Sequence, residues 1–298
     1  MTTEFEVTLN QVEKSNDFMS TRQENKRMQQ AIETFEQARN QQLKIRSLTL
    51  SQRLKFVERL KSVILKNQED VIDSIQEDTR KSRTDALMSE IFPVLDHLDY
   101  LIKNAQGVLE DQKVKTSIAM MGKKSKIFFE PLGTILVISP WNYPFYQAVV
   151  PCVSAFVTGN AVVYKPSEHT PLTGVCEKVF QEAGFEANWV QVVYGDGKVA
   201  EALIEQKPEK IFFTGSVTTG KKIMAQASQH LIPVELELGG KDPMIVFEDV
   251  NIQRAAAGAV WGALTNSGQS CTSVERLYVH QSIYDEFKLE LVRQVERV

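Results

Sequence analysis

Cysteine is scarce in this chain of 298 residues, and Cys152, Cys176 and Cys271 lie far apart. An odd number of widely spaced cysteines excludes a disulfide framework and a Cys-x-x-Cys metal site. The four histidines are equally isolated, so no close group of histidine and cysteine offers a zinc site. We therefore expect a reducing, cytoplasmic compartment and no metal.

The chain also lacks a large net charge, since it contains 34 Lys and Arg and 38 Asp and Glu, for a net charge of -4. Proteins that bind a nucleic-acid backbone or an anionic membrane by bulk charge carry positive charge. The longest apolar stretch, 134–164, is interrupted by prolines and asparagines, which excludes a membrane helix. We expect a small molecule as the partner, and neither nucleic acid nor membrane.

Apolar residues make up 43% of the chain, enough for large buried cores, and the length suggests about two domains. Residues 24–106 are charged and rich in glutamine, which together with apolar residues at helical spacing predicts a helical N-terminal block. One face of this block should carry Leu54, Val57, Leu60, Ile64 and Leu65. In residues 114–130 a basic turn at Gly122 separates two apolar segments, which predicts a hairpin.

After Pro131, short β-branched runs alternate with segments of helical pattern. The runs are TILVIS, NAVVYK, WVQVVY and KIFFTG, and a further strand, MIVF, precedes a helix predicted over 252–264. Such alternation is typical of βαβ units and a parallel sheet. Sheets of this kind bind ligands at the carboxyl ends of their strands, so the chemistry should lie in the turns that follow.

Five turns hold unusual sets of residues. They are Pro140-Trp141-Asn142-Tyr143-Pro144, Lys165-Pro166-Ser167-Glu168, Phe213-Thr214-Gly215-Ser216 through Gly220, Glu237-Leu238-Gly239-Gly240-Lys241, and Asn266-Ser267-Gly268-Gln269-Ser270-Cys271. Each alone is a weak signal. In this order they resemble the aldehyde dehydrogenase superfamily, whose PWNxP, KPSE, FTGSxxxG, ELGGK and GQxC signatures they match. The resemblance runs from the N-terminal helices to Val298.

The resemblance implies an α/β fold. A Rossmann-like parallel-sheet cofactor domain carries the helical N-terminal block and is followed by the start of a second α/β catalytic domain. Residues 1–113 and 131–238 correspond to the NAD-binding domain, 114–130 to an oligomerisation hairpin, and 239–298 to an incomplete catalytic domain. The family's later Glu-x-Phe-Gly-Pro motif does not occur in the sequence, so we expect a fragment or a truncated relative. A complete chain is expected to form a homo-oligomer.

Three residues of these turns match the family's catalytic groups. Cys271 has the small polar neighbours of an accessible thiol, whereas a lone cysteine is more often buried, the interpretation kept for Cys152 and Cys176. By the resemblance, Cys271 is the nucleophile and Glu237 the general base, while Asn142 and the Cys271 N–H hold the oxyanion. Taken alone, Glu237 is equally well a solvated strand-edge residue and Asn142 a turn former.

The sequence offers two places for a dinucleotide phosphate. Gly195 begins a Gly-x-Gly-x-x-Ala match after a predicted strand, a pattern that is common by chance. By the resemblance, the pyrophosphate lies instead at the Gly215-Ser216 turn, before a helix whose free N–H groups suit an anion. The candidate cofactor contacts are Trp141, Asn142, Lys165, Ser167, Glu168, Gly195, Gly215, Ser216, Gly220 and Leu238.

Lys165 and Glu168, ordinary surface charges when taken alone, match the family's contacts to the adenosine ribose. A carboxylate accepts hydrogen bonds from ribose hydroxyls and repels a 2′-phosphate, so Glu168 favours NAD. The expected function is NAD-dependent oxidation of an aldehyde to a carboxylic acid through a cysteine thiohemiacetal and thioester. Two alternatives stay open: a catalytically incomplete NAD-binding remnant, and a cofactor-independent thioesterase or esterase that uses Cys271 and Glu237.

Overall fold

Helices form the first part of the chain, as the sequence predicts. The computed structural model describes residues 3–298, and side chains from residue 24 onward. The helices are α1 (Thr3–Ser47), α2 (Leu50–Lys66), α3 (Gln68–Thr79), α4 (Arg83–Ala86) and α5 (Phe92–Leu109). A single π-helical turn, Leu87–Ile91, which we call the π turn, connects α4 to α5. Among the described residues, no helix has both the length and the apolar character to cross a membrane.

Helix α2 shows how this block begins and packs. The hydroxyl of Thr49 accepts a hydrogen bond from the Gln52 N–H, and the Gln52 side chain accepts one from the Thr49 N–H. This capping box satisfies two backbone donors that the first turn leaves free. The buried face carries Val57, Leu60 and Ile64. Leu65 is 46% exposed, so its predicted place on that face is wrong: one residue further along turns a side chain about 100° around the helix.

A short antiparallel pair of strands follows α5. Strand β1 (Gln112–Val114) pairs with β2 (Ser125–Ile127), and Gln112 lies opposite Ile127. The turn between them contains a 3-10 segment, Ile118–Met120, and Gly122, whose φ of 89° is a left-handed value that suits glycine. Ile118 is 91% exposed. The hairpin's role in oligomerisation stays a prediction.

A five-stranded parallel sheet forms the centre of the fold. Its strands are β3 (Thr134–Ile138), β4 (Ala161–Lys165), β5 (Val190–Val192), β6 (Lys210–Gly215) and β7 (Val234–Leu238), in the order β5-β4-β3-β6-β7. The connecting helices are α6 (Pro144–Val157), α7 (Val175–Glu182), α8 (Gly197–Glu205) and α9 (Val217–Ser228). This order confirms the parallel-sheet prediction and reverses direction at β3, which creates a crevice between the carboxyl ends of β3 and β6.

Strands β3 and β4 are almost wholly apolar in sequence because they lie inside the fold. Every residue of β3 and β4 is buried, because α1 and α6 both pack against them and each has a neighbouring strand on either side. An aromatic cluster ties the helical block to this sheet: Phe56 of α2 contacts Phe156 and Trp189 at centroid distances of 5.9 and 5.2 Å. Such pairs add about 0.5–1.5 kcal/mol each beyond the area they bury.

A second α/β layer begins after β7. Strands β8 (Asp242–Val246) and β9 (Val274–Val279) are parallel and are connected through α10 (Ile252–Leu264), and α11 (Tyr284–Val295) follows. These elements have a small core of their own, with buried Val246, Ala256 and Phe287. The α/β class predicted for this region is confirmed, while the predicted domain boundaries stay predictions.

Candidate active site

A cavity of about 1010 Å³ lies at the carboxyl ends of β3, β4 and β6. This volume is at the upper end of the size range typical of ligand pockets. The candidate catalytic and cofactor residues that line the cavity are Trp141, Asn142, Lys165, Ser167, Glu168, Gly215, Ser216, Glu237, Leu238 and Cys271. The fold therefore brings together side chains from five separate turns.

Two of the candidate glycines lie outside the lining of this cavity. A Cβ added at Gly195 would overlap the Val199 side chain, and one at Gly220 would lie 2.8 Å from Leu238 Cδ2. Gly220 therefore allows α9 to pack closely on β7, and Gly195 allows a tight turn before α8. Their predicted cofactor contacts stay predictions.

The Asn142 turn, residues 139–146, connects β3 to α6. Pro151 lacks an N–H, so the Gln147 carbonyl has no helical donor, and the Ser139 hydroxyl donates to that carbonyl at 2.7 Å. At the other side of the turn, Thr170 Oγ1 donates to the Trp141 carbonyl at 2.9 Å. The turn is thus fixed to its own helix and to the loop after β4.

The side chain of Asn142 reaches the loop that carries the cysteine. Its Nδ2 donates to the Gln269 carbonyl at 2.7 Å, and Asn266 Nδ2 donates to the Asn142 carbonyl at 3.1 Å. Only the amide nitrogen can donate to the Gln269 carbonyl, so this contact fixes which way the Asn142 side-chain amide points. Because Nδ2 carries two N–H groups, one is left for a ligand.

The Cys271 loop, residues 265–273, has an unusual backbone. Asn266, Ser267 and Gly268 have φ values of 55°, 57° and 74°, three successive left-handed residues of which only the last is glycine. Cys271 is exposed on this loop, whereas Cys152 and Cys176 are buried, as predicted. Burial raises the pKa of both buried thiols. An exposed sulfur on the cavity wall is the one placed to react.

Glu237 and Glu235 alternate with apolar residues on β7, an edge strand, as the sequence pattern predicts. The Lys210 ammonium lies 3.0 Å from the Glu235 carboxylate. Glu237 is exposed and lines the cavity, opposite Thr214 in the strand register. One carboxylate therefore forms a surface ion pair, and the other faces the crevice.

Two features of the cavity fit a dinucleotide. Ser216 is the N-cap of α9 and accepts a hydrogen bond from the Thr219 N–H at 3.1 Å, so the helix N-terminus with its partial positive charge faces the cavity. Lys165 is only 3% exposed and its Nζ lies 3.5 Å from Glu168 Oε2, so it is no ordinary surface charge. Burial lowers the pKa of Lys165.

The sequence interpretation missed a buried ion pair behind the Asn142 turn. Lys81 Nζ lies 2.5 Å from Glu90 Oε1, and the two side chains are 4% and 0% exposed. No motif marked these residues, because two charges nine positions apart in a charged helical block look like solvated surface. Among the side chains from residue 24 onward, no group of three or more His, Cys, Asp or Glu could hold a metal ion.

Comparison with known proteins decides the family, because the model of the aldehyde dehydrogenase family matches residues 4–298. The chain belongs to the aldehyde dehydrogenase family. Its resemblance to 4,4'-diapolycopene aldehyde oxidase of Methylomonas reaches 42% identity over 255 residues, 85% of this chain and 48% of that protein. D-glyceraldehyde dehydrogenase (NADP(+)) of Picrophilus torridus is 34% identical over 84% of the chain and 51% of its own length.

The fold agrees with this assignment. The substrate-bound structure of Staphylococcus aureus AldH superposes with a TM-score of 0.83 at 31% identity, over 89% of this chain and 58% of that one. The chain spans about half the length of the curated relatives it matches. The family therefore follows from the comparison, and the activity of the whole protein is a proposal.

Proposed function

We propose that the natural protein oxidises an aldehyde to a carboxylic acid with NAD, through a thioester on Cys271. The observation that supports this most is that Cys271, Asn142 and Glu237 line the same cavity as the N-terminus of α9. A nucleophile, a neutral amide donor and a carboxylate base are the groups that this reaction requires.

The first step is addition of the Cys271 thiolate to the aldehyde carbonyl, which forms a C–S bond and moves the carbonyl electron pair onto oxygen. The free N–H of the Asn142 amide stabilises this oxyanion together with the backbone N–H of Cys271. A neutral amide suits this task because it has no proton to lose. The contact with Gln269 holds the Asn142 amide in place before the substrate arrives.

Bound in the cavity, the nicotinamide cofactor supplies the acceptor for the hydride that leaves the substrate carbon. The product on Cys271 is a thioester. Glu237 then takes a proton from water, the water oxygen bonds to the thioester carbon, and the C–S bond breaks to return the thiolate and release the acid. The thioester is hydrolysed because a carboxylate base lines the same cavity.

Glu168 supports NAD as the cofactor. Its carboxylate is about half exposed and close to the buried Lys165 ammonium, at the carboxyl end of β4. A ribose with a free 2′-hydroxyl can donate to this carboxylate, whereas a 2′-phosphate would be repelled. We expect Ser167 and Trp141 to form the neighbouring part of the adenosine site.

The first substrate to test is a 4,4'-diapolycopene aldehyde, because the relative with 42% identity is named for it. A panel that also contains short aliphatic and hydroxylated aldehydes would define the substrate preference.

For the assembly, the exposed apolar residues of the β1–β2 hairpin support the expected homo-oligomer, with Ile118 and Met121 exposed by 91% and 88%.

The nucleophile is tested by replacing each cysteine in turn in the natural protein. Cys271→Ala should lower aldehyde-dependent NADH formation by at least about 10³-fold, while Cys152→Ala and Cys176→Ala should retain it. NADH absorbance measures the rate, and circular dichroism checks folding. Substantial turnover by folded Cys271→Ala protein would contradict the proposal.

The same assays distinguish the proposed function from the two alternatives given by the sequence. Membership of the family favours neither alternative. An NAD-binding remnant would bind NAD but form no NADH with any aldehyde of the panel. A cofactor-independent esterase would cleave an activated ester at full rate without NAD and form no NADH with aldehydes.

A further inference from the structure

We propose that Lys81 and Glu90 are positioning residues for the reaction: their buried ion pair holds the Asn142 turn so that the Asn142 amide meets the oxyanion. This inference rests on the proposed function, because it assumes the role given there to Asn142.

Glu90 binds one side of the turn. Its Oε2 accepts hydrogen bonds from the backbone N–H groups of Phe145 at 2.7 Å and Tyr146 at 3.3 Å. These residues open α6, so the carboxylate satisfies donors of the first helical turn and complements the positive end of the helix. Helix α6 has no side-chain cap at its own N-cap, Tyr143. Glu90 supplies that function from another element.

Lys81 binds the other side. Its Nζ donates to the Asn142 carbonyl at 2.7 Å and lies 4.2 Å from the centre of the Tyr143 ring. The same carbonyl accepts from Asn266 of the Cys271 loop. The Lys81 ammonium therefore fixes the backbone of the residue whose side chain serves as the oxyanion donor.

The local backbone supports a function beyond packing. Glu90 lies in the π turn, Leu87–Ile91, and such π-bulges occur frequently at functional sites. A buried pair of charges is also weak evidence for stability, since apolar residues of similar volume often serve as well or better. This ion pair is buried, and the other hydrogen bonds of its two side chains go to the Asn142 turn. A role in positioning that turn therefore accounts for the pair.

The test is a double-mutant cycle in the natural protein. Lys81→Met and Glu90→Gln are combined into one paired variant, so that neither charge is left buried alone, and the glutamine amide oxygen can still accept the Phe145 N–H. This pair of changes is made in the wild type and in Asn142→Ala. Lys61→Met, which breaks a partly exposed pair with Asp99 in the same helical block, is the matched control.

In the wild type, the paired variant should lower kcat by about 10- to 100-fold, since misplacing a catalytic group by about 1 Å costs about 100-fold. The KM for NAD and the rate at which iodoacetamide alkylates Cys271 should change by less than about threefold. In the Asn142→Ala background the same changes should lower kcat by less than about threefold. Lys61→Met should leave kcat unchanged.

Equal effects on kcat in both backgrounds would overturn the inference, because the pair would then act independently of Asn142. A fall in Cys271 alkylation that matches the fall in kcat would overturn it too, since the pair would then act on the nucleophile. If Asn142→Ala alone left kcat unchanged, the oxyanion role in the proposed function would fail, and this inference with it. The cycle thus distinguishes the two failures.

Discussion

The Asn142 turn and the Cys271 loop face the same cavity but are held by different means. The turn is bound from behind by the buried Lys81–Glu90 pair, and the hydroxyls of Ser139 and Thr170 donate to backbone carbonyls of the turn and of α6. The loop is exposed at Ser267 and Cys271, has three successive left-handed residues, and contacts the turn through Asn142 and Asn266. The difference indicates that the turn fixes the geometry of the site and that the loop takes its position from the turn.

The largest expected effect comes from breaking the buried Lys81–Glu90 pair that holds the Asn142 turn. Lys81→Met alone leaves Glu90 as a buried charge without its partner, which should lower the free energy of unfolding by about 3–5 kcal/mol. Urea denaturation followed by tryptophan fluorescence measures this change. The partly exposed pair of Lys61 and Asp99 provides the control, and Lys61→Met should lower the free energy of unfolding by less than about 1 kcal/mol. Equal losses in the two variants would mean that the turn is not held by the buried pair.

A smaller effect is expected from the loop. Ser267 has a φ of 57°, which a β-branched side chain adopts only at a cost of about 1–3 kcal/mol. Ser267→Val should distort the loop locally and lower kcat by about tenfold, while the free energy of unfolding falls by no more than this strain of about 1–3 kcal/mol. Ser267→Gly, which accepts this φ, should keep the wild-type rate. A fully active Ser267→Val protein would show that the loop does not depend on this backbone.

The smallest expected effect concerns the cofactor and leaves both the turn and the loop intact. Wild-type protein should prefer NAD to NADP in kcat/KM, and Glu168→Gln should narrow that preference by about fivefold, which corresponds to about 1 kcal/mol for a half-exposed charge. Steady-state kinetics with both cofactors provide the measurement. A wild-type preference for NADP would mean that Glu168 does not face the ribose.

The parallel sheet and the five turns of the site are predictable from the sequence because each is encoded locally. Runs of β-branched residues mark the strands, and small or polar residues mark the turn after each strand. Asn142 and Glu237 lie on the same cavity because parallel strands place their carboxyl ends at one edge. Cys271 joins them from the loop between α10 and β9.

The support of the site could not be predicted in the same way. Lys81 and Glu90 become buried only when α6 packs against the π turn, a tertiary contact that no local pattern encodes. The left-handed conformation of Asn266 and Ser267 could not be predicted either, because neither residue is glycine. Gly195, which the Gly-x-Gly pattern marked, lies outside the cavity lining. Glycine is needed there for the tight turn before α8, because a Cβ would overlap the Val199 side chain.

The central claim, a covalent intermediate on Cys271, is tested most directly by trapping it. In the proposed mechanism Glu237 is the base that activates water after hydride transfer, so the thioester should accumulate in Glu237→Gln. Rapid mixing of this variant with NAD and aldehyde should give a burst of about one equivalent of NADH per site and then slow turnover, with the acyl mass on Cys271. Cys271→Ala should give neither burst nor adduct. Unchanged steady-state turnover of the Glu237→Gln protein, without a burst or an acylated Cys271, would contradict the account.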